Sequence, residues 1–205
     1  MNTMIHKINI KLMRVVLFLA FVIFVGHNIV GQHISSIRAE DIPEGKRTSL
    51  ELYVTSKQAY NMWLADSLHI KILDVRTLEE YIFVGHADMA VNINLATQSY
   101  EWNEEKGMFA IEPNPDFIDL VKSWAKRDDI ILVMCRSGGR SAMAVNIMAQ
   151  NGFINVYNII DGMEGDLVND KESVFYKKRM KNGWKNTGNP WTYLINLEQV
   201  RRSDQ

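Results

Sequence analysis

A chain of 205 residues, 47% hydrophobic and 23% charged, has the length and composition of one globular domain with attachments, which excludes a disordered or collagen-like chain. Its 23 basic and 24 acidic side chains give a formal net charge of -1, leaving no excess of Lys and Arg to favour a nucleic-acid partner. The lone cysteine, Cys135, excludes a disulfide framework and is either a small buried hydrophobe or a reactive thiol.

At the amino end Lys7, Lys11 and Arg14 precede the apolar run 15–25, and Gly26, His27 and Asn28 follow at once. That is the layout of an export signal. The run is shorter than the roughly 20 residues a spanning helix needs, so residues 1–31 are expected to be a cleaved signal. An N-terminal membrane anchor is the alternative, because Ile29 stands where cleavage after Gly31 prefers a small residue. Three basic and no acidic residues in this segment argue against a buried core helix. Loss of the three would leave 20 basic against 24 acidic side chains, a formal charge of -4. The protein is thus expected to be exported, periplasmic or otherwise extracytoplasmic, touching a membrane only if the segment is uncleaved.

Residues 32–49, with Pro43 and Gly45 and no sustained periodicity, are expected to form a linker or extended lead-in. A helix is predicted from Ser56 to about Asp66, capped by Thr55 or Ser56, with Ala59, Met62, Trp63 and Leu68 at near-helical spacing. Residues 70–75 have the look of a buried strand, and Thr77 with Glu80 fits a capping box that opens the next helix. Residues 91–95 alternate like a strand. Asn114-Pro115 then opens a helix whose apolar face is Phe117, Ile118, Val121, Trp124 and Ala125. The run 130–134 is the strongest buried-strand signal, residues 141–151 form a helix closed by Gly152, and 156–160 is a further strand. Repeated strand–helix units predict an α/β fold with a parallel central sheet flanked by helices on both faces, over residues 50–168. The extension 169–205, basic and aromatic, is expected to pack on the domain through Trp184, Trp191 and Tyr193, with a protein-binding surface as the alternative.

The chemistry concentrates between the strand at 130–134 and the helix that follows. A glycine-rich turn leading into a helix points backbone N–H groups inward and adds the positive helix end. A negative sulfur at Cys135 is therefore expected to be stabilised, and Arg136 and Arg140 add to that effect. A buried structural cysteine would not need two arginines, two glycines and two serines in the next six positions.

The loop Cys135-Arg136-Ser137-Gly138-Gly139-Arg140-Ser141 resembles the active loop of the rhodanese family. Asp74-Val75-Arg76, Glu80-Tyr81, Gly85-His86 and Asn92-Ile93 resemble that family's upstream signature, and residues 161–165 its Gly-Gly turn, with one of those glycines kept. The sequence departs at Ala87-Asp88-Met89, where Ile-Pro-Gly is usual. The resemblance implies a rhodanese-like fold and a single-domain sulfurtransferase of the thiosulfate sulfurtransferase type, with Cys135 as the persulfide-bearing nucleophile. It also implies that Arg136, Ser137, Gly138, Gly139 and Arg140 form the substrate-binding loop, with Arg140 bracing the loop or meeting the anion. A small anionic sulfur donor and a thiol or cyanide-like acceptor are the expected partners, and no metal or organic cofactor is implied beyond the covalent persulfide. Asp74 is expected near the site in a structural or a catalytic role, and His86 in a structural one. Four residues separate Cys135 from Arg140, one fewer than in phosphate-handling relatives, which disfavours phosphatase or arsenate-reductase chemistry. An exported sulfur carrier or protein-binding module remains the competing reading, and a thiol-disulfide oxidoreductase lacks a resolving cysteine.

Overall fold

The computed structural model describes residues 37–105 and 107–202. The export segment expected at 1–31 and the start of the lead-in, 32–36, lie outside the described residues. In chain order the elements are β1 (Tyr53–Val54), α1 (Ser56–Ala65), β2 (Ile70–Asp74), α2 (Leu78–Phe83), β3 (Val91–Asn92), β4 (Ala96–Asn103) and β5 (Met108–Pro113). They continue with α3 (Phe117–Trp124), β6 (Ile130–Met134), α4 (Gly139–Gln150) and β7 (Val156–Ile159). Five strands form a wholly parallel sheet in the order β1-β7-β6-β2-β3.

The alternation of side chains along β6 divides the core into two layers. Ile131 and Val133 join Phe117 and Val121 of α3 and Ala144, Val145 and Met148 of α4 in one buried cluster, and Cys135, in phase with them, belongs to it. Leu132 and Met134, also fully buried, point to the opposite face, where α1 packs against β1 and β2. The sheet is therefore covered on both sides, as near-continuous apolar strands require. Both expected capping signals are real boxes: Thr55 with Gln58 opens α1, and Thr77 with Glu80 opens α2.

Several boundaries differ from the sequence pattern. Leu68 is 89% exposed, because α1 ends before Asp66, whose N–H caps onto Met62 O. The strand predicted at 91–95 pairs as a strand only over Val91–Asn92, although Ile93 N–H and Leu95 N–H still donate to Asp74 O and Val75 O. Helix α4 starts at Gly139, two residues earlier than expected, because Gly138 takes the left-handed conformation at its N-cap. The edge strand β1 and the antiparallel hairpin β4–β5 were not expected from the pattern at all.

The described part of the lead-in has two 3-10 turns, Ala39–Asp41 and Glu44–Lys46, and lies against the domain. Asn158 Nδ2 donates to Lys46 O at 2.8 Å, and Ser49 N–H donates to Asn146 Oδ1 at 2.8 Å. On the carboxyl side Trp184 is fully buried, edge-on to Tyr60 of α1 at 5.8 Å. The buried Asp161 carboxylate accepts from Ser56 N–H, the Ser56 hydroxyl and Gly183 N–H, tying α1, the end of the sheet and the tail together. Burial pushes this carboxyl above its ordinary range, with those hydrogen bonds opposing the shift. Trp191 and Tyr193 instead stay partly exposed, with the Lys185 ammonium 3.8 Å from the Trp191 ring centre.

Candidate active site

Cys135 follows the carboxyl end of β6, the middle strand, where open parallel sheets place their ligands. It is 2% exposed. The chain turns so sharply here that Gly138 adopts φ +97°, and a Cβ on it would lie 2.2 Å from Ile160 O. Only glycine fits, and the turn directs Gly138 N–H to the Cys135 sulfur at 3.2 Å. The N–H groups of Arg136, Ser137, Gly139 and Arg140 meet no protein acceptor among the described residues, and the first helical N–H groups have none within a helix by construction. Unpaired amides in a glycine-rich turn at the amino end of a helix are the groups that could receive an anion beside the thiol.

The loop is held from behind by the turn after β7. Met163 N–H donates to Cys135 O at 2.8 Å, and Glu164 N–H to Arg136 O at 2.9 Å. Gly162, at φ +58°, permits this approach, since its Cβ would meet Cys135 O at 2.4 Å. Below the sulfur, Ser141 Oγ lies 3.4 Å from Cys135 Sγ and 2.7 Å from Asn158 Oδ1. Asn158 Nδ2 donates to Gly138 O and Lys46 O, so its oxygen faces Ser141 and can only accept. The single hydroxyl proton of Ser141 therefore goes to Asn158, leaving Ser141 Oγ as an acceptor for a Cys135 S–H.

Arg140 does not turn toward an anion. Its two terminal nitrogens each bond a Glu80 oxygen at 2.6 Å, a bidentate pair that fixes the start of α4 to α2. Burial acts to raise the Glu80 carboxyl, but the Arg140 hydrogen bonds and charge outweigh it and hold the group below the usual carboxylate range. Of the two roles open to Arg140, the geometry selects bracing. Arg136 is exposed, and its side chain has no hydrogen-bond or ion-pair partner among the described residues. Ser137 is half-buried at the rim, and Gly139, with only Gly45 O near a would-be Cβ at 3.7 Å, is not sterically required.

Asp74 and Arg76 form a fully buried pair, Arg76 Nη2 to Asp74 Oδ2 at 2.6 Å, and the same guanidinium donates to Gly85 O. Asp74 is thus engaged in holding the loop between β2 and α2. His86 is buried against Tyr81, with ring centres 3.7 Å apart, and its Nδ1 lies 3.1 Å from Tyr81 O. A carbonyl accepts, so Nδ1 carries the proton, and burial lowers the imidazole pKa. Stacking on Tyr81 and the bond to its carbonyl give His86 a structural place.

Sequence reasoning missed the second role of Glu80, the partner of Arg140, and missed Ser141 and Asn158 as neighbours of the sulfur. The signal for Asn158 was present: it is the one amide in the otherwise apolar or aromatic strand β7, and a buried polar residue needs partners.

The class the fold and site define is an α/β domain whose parallel five-stranded sheet presents a cysteine in a glycine-rich loop at the head of a helix. The Rhodanese-like domain family matches residues 56–167, and the chain belongs to that family. It is 33% identical over 145 residues to an uncharacterized protein of Rickettsia prowazekii, covering 68% of this chain and 96% of that one. It is 37% identical over 92 residues to the chloroplastic thiosulfate sulfurtransferase 16 of Arabidopsis thaliana, covering 45% of this chain and 69% of that one. Among solved structures, the Rv0390 protein of M. tuberculosis superposes with a TM-score of 0.54 at 28% identity, covering 69% of this chain and 96% of that one.

Proposed function

We propose that the protein is a sulfurtransferase that moves a sulfane sulfur from a small anionic donor such as thiosulfate to a thiol or cyanide-like acceptor through a persulfide on Cys135. The observation that carries this reading is the Cys135 sulfur at the mouth of α4, bonded by Gly138 N–H and flanked by loop amides free to receive an anion. The Cys135 thiolate attacks the outer sulfur of thiosulfate, the S–S bond of the donor breaks, and sulfite leaves with the electron pair. The acceptor then attacks the outer sulfur of the persulfide and Cys135 leaves as thiolate. Arg136 draws in the donor by charge, while the Arg140–Glu80 pair keeps the loop amides aimed. The cysteine carries the sulfur itself, so the cycle needs no metal or organic cofactor. Export through residues 1–31, with an exported protein as a further acceptor, belongs to the same proposal.

Intact mass tests it. Treatment with thiosulfate is expected to add the mass of one sulfur atom, cyanide to remove it, and Cys135→Ser never to show it. A protein that stays unmodified under reducing preparation, or a serine variant that gains the same mass, overturns the reading.

A further inference from the structure

Two stretches outside the family match reach the active loop and build one wall each of a cleft beside it. The lead-in supplies Pro43 and Lys46, the tail supplies Arg179 and Lys181, and Asp166 and Ser137 complete a space of about 410 Å³. Ser137 belongs to the Cys135 loop, two residues beyond the sulfur-bearing side chain, so the cleft borders that loop. Its tail wall is set by backbone packing: Leu167 bridges Arg179, and Val168 bridges Tyr176. Gly165 and Gly183 allow the two segments to touch, since a Cβ on Gly165 would lie 1.8 Å from Asn182 O. Arg179 Nη1 donates to Gly165 O at 2.7 Å, which uses one of its five donors.

The charge in this cleft is unbalanced. Lys46 is matched by Asp166 at 2.7 Å, whereas Arg179 and Lys181 have no second carboxylate on the cleft wall. Asp166, half-buried and bonded by Lys46 and Asn182, is held below the ordinary carboxylate range, so it counts as one full negative charge against three positive ones. The volume falls in the ~300–1,000 Å³ range of small-molecule sites and far exceeds what thiosulfate or cyanide fills.

We propose that this cleft is the recognition subsite for the sulfur acceptor, and that the acceptor it fits is a small organic thiol bearing carboxylates. The inference rests on the persulfide reading of Cys135. In the step it serves, the acceptor thiolate attacks the outer persulfide sulfur, a new S–S bond forms, and the bond to Cys135 Sγ breaks. The electron pair leaves on Cys135, the product is the organic persulfide, and no external oxidant or reductant is required.

The test uses two readouts. With the thiosulfate-loaded full chain, single-turnover transfer to mercaptosuccinate is expected to exceed transfer to 2-mercaptoethanol about fivefold or more per unit thiolate, the scale of one or two exposed ion pairs. Lys181→Glu and Arg179→Gln are each expected to lower that ratio about threefold, and rising salt to lower it in the wild type. The second readout is independent of sulfur loading: mercaptosuccinate titrated into Cys135→Ser protein is expected to shift the amide resonances of Ser137, Asp166 and Lys181. A preference that neither variant nor salt alters, or resonance shifts confined to another surface, overturns the subsite even if transfer occurs. Failure of loading with those resonance shifts intact overturns the persulfide reading instead.

Discussion

Around Cys135, the loop is held by α2 through Glu80, by β7 through Asn158 and by the turn at residues 162–165, whereas the β4–β5 hairpin is held chiefly by its own ladder. In the hairpin Thr97 donates to Glu112 O and Gln98 to Ala110 O, Trp102 stacks edge-on against Phe109 at 5.4 Å, and Tyr100, Trp102, Met108 and Phe109 stay exposed. The difference is one of over-determination. At the loop several separate segments must be in place at once to hold one strained turn, so a single change there is transmitted to the sulfur. In the hairpin each pair is local, and a lost side chain is felt mainly by its cross-strand neighbour.

The sharpest way to break the comparison is Gly138→Ala. A left-handed φ and a Cβ 2.2 Å from a backbone carbonyl that cannot move freely should cost about 3 kcal/mol or more and abolish sulfur loading. Denaturant unfolding with mass analysis of the thiosulfate-treated variant checks both. Next in size is Arg140→Met, which leaves Glu80 without its bidentate partner. Both side chains are about one-fifth exposed, so the loss is set at about 1–3 kcal/mol, below that of a fully buried pair. The pH dependence has a definite sign: the folded-state pKa of Glu80 is depressed, so its contribution is present above the ordinary value of 4.5 and lost as pH falls through the folded value. The wild type should therefore lose stability below about pH 4.5 more steeply than Glu80→Gln does, measured as denaturation midpoints across that range.

The same contrast explains what could be read in the sequence. Strands β2, β6 and β7, a cap at Thr55 or Ser56 and the capping box at Thr77 were legible because burial on both faces writes apolar runs and caps need fixed residue types. Cys135, Gly138 and Arg140 were legible because the turn and its charge demand those residues at that spacing. The hairpin was not, because its ladder is exposed and interrupted by a register shift between Gln98 and Trp102, which blurs the alternation of apolar and polar residues. Strand β1 was not, because two residues of an edge strand carry no periodicity, and Tyr53 and Val54 join the sheet through β7, about a hundred residues further along the chain. The Ser141–Asn158 contact and the cleft at Lys46, Arg179 and Lys181 arise from such distant pairings, and no local pattern announces them.

Ser141→Ala sharpens the comparison on the loop side. It leaves the buried Asn158 oxygen without a donor, a cost of about 1–2 kcal/mol, and removes the hydroxyl 3.4 Å from the sulfur. Thermal unfolding should show the stability loss. Sulfur loading should nonetheless persist, because Gly138 N–H still meets the sulfur and the lost hydroxyl proton was committed to Asn158.

The smallest expected effect lies on the hairpin. Trp102 is 52% exposed and meets Phe109 across the strands, so Trp102→Ala removes one edge-to-face contact and little buried area. The pair is worth at most about 1 kcal/mol, and fraying of the hairpin need not spread to the parallel sheet. Global unfolding should move by less than about 0.5 kcal/mol, and the rate of persulfide formation should stay at the wild-type value. Amide exchange should nonetheless quicken across residues 97–112, locating the loss in the ladder. A fall in sulfur loading toward that of Gly138→Ala would show instead that the hairpin and the Cys135 loop form one cooperative unit, and the contrast between them would dissolve.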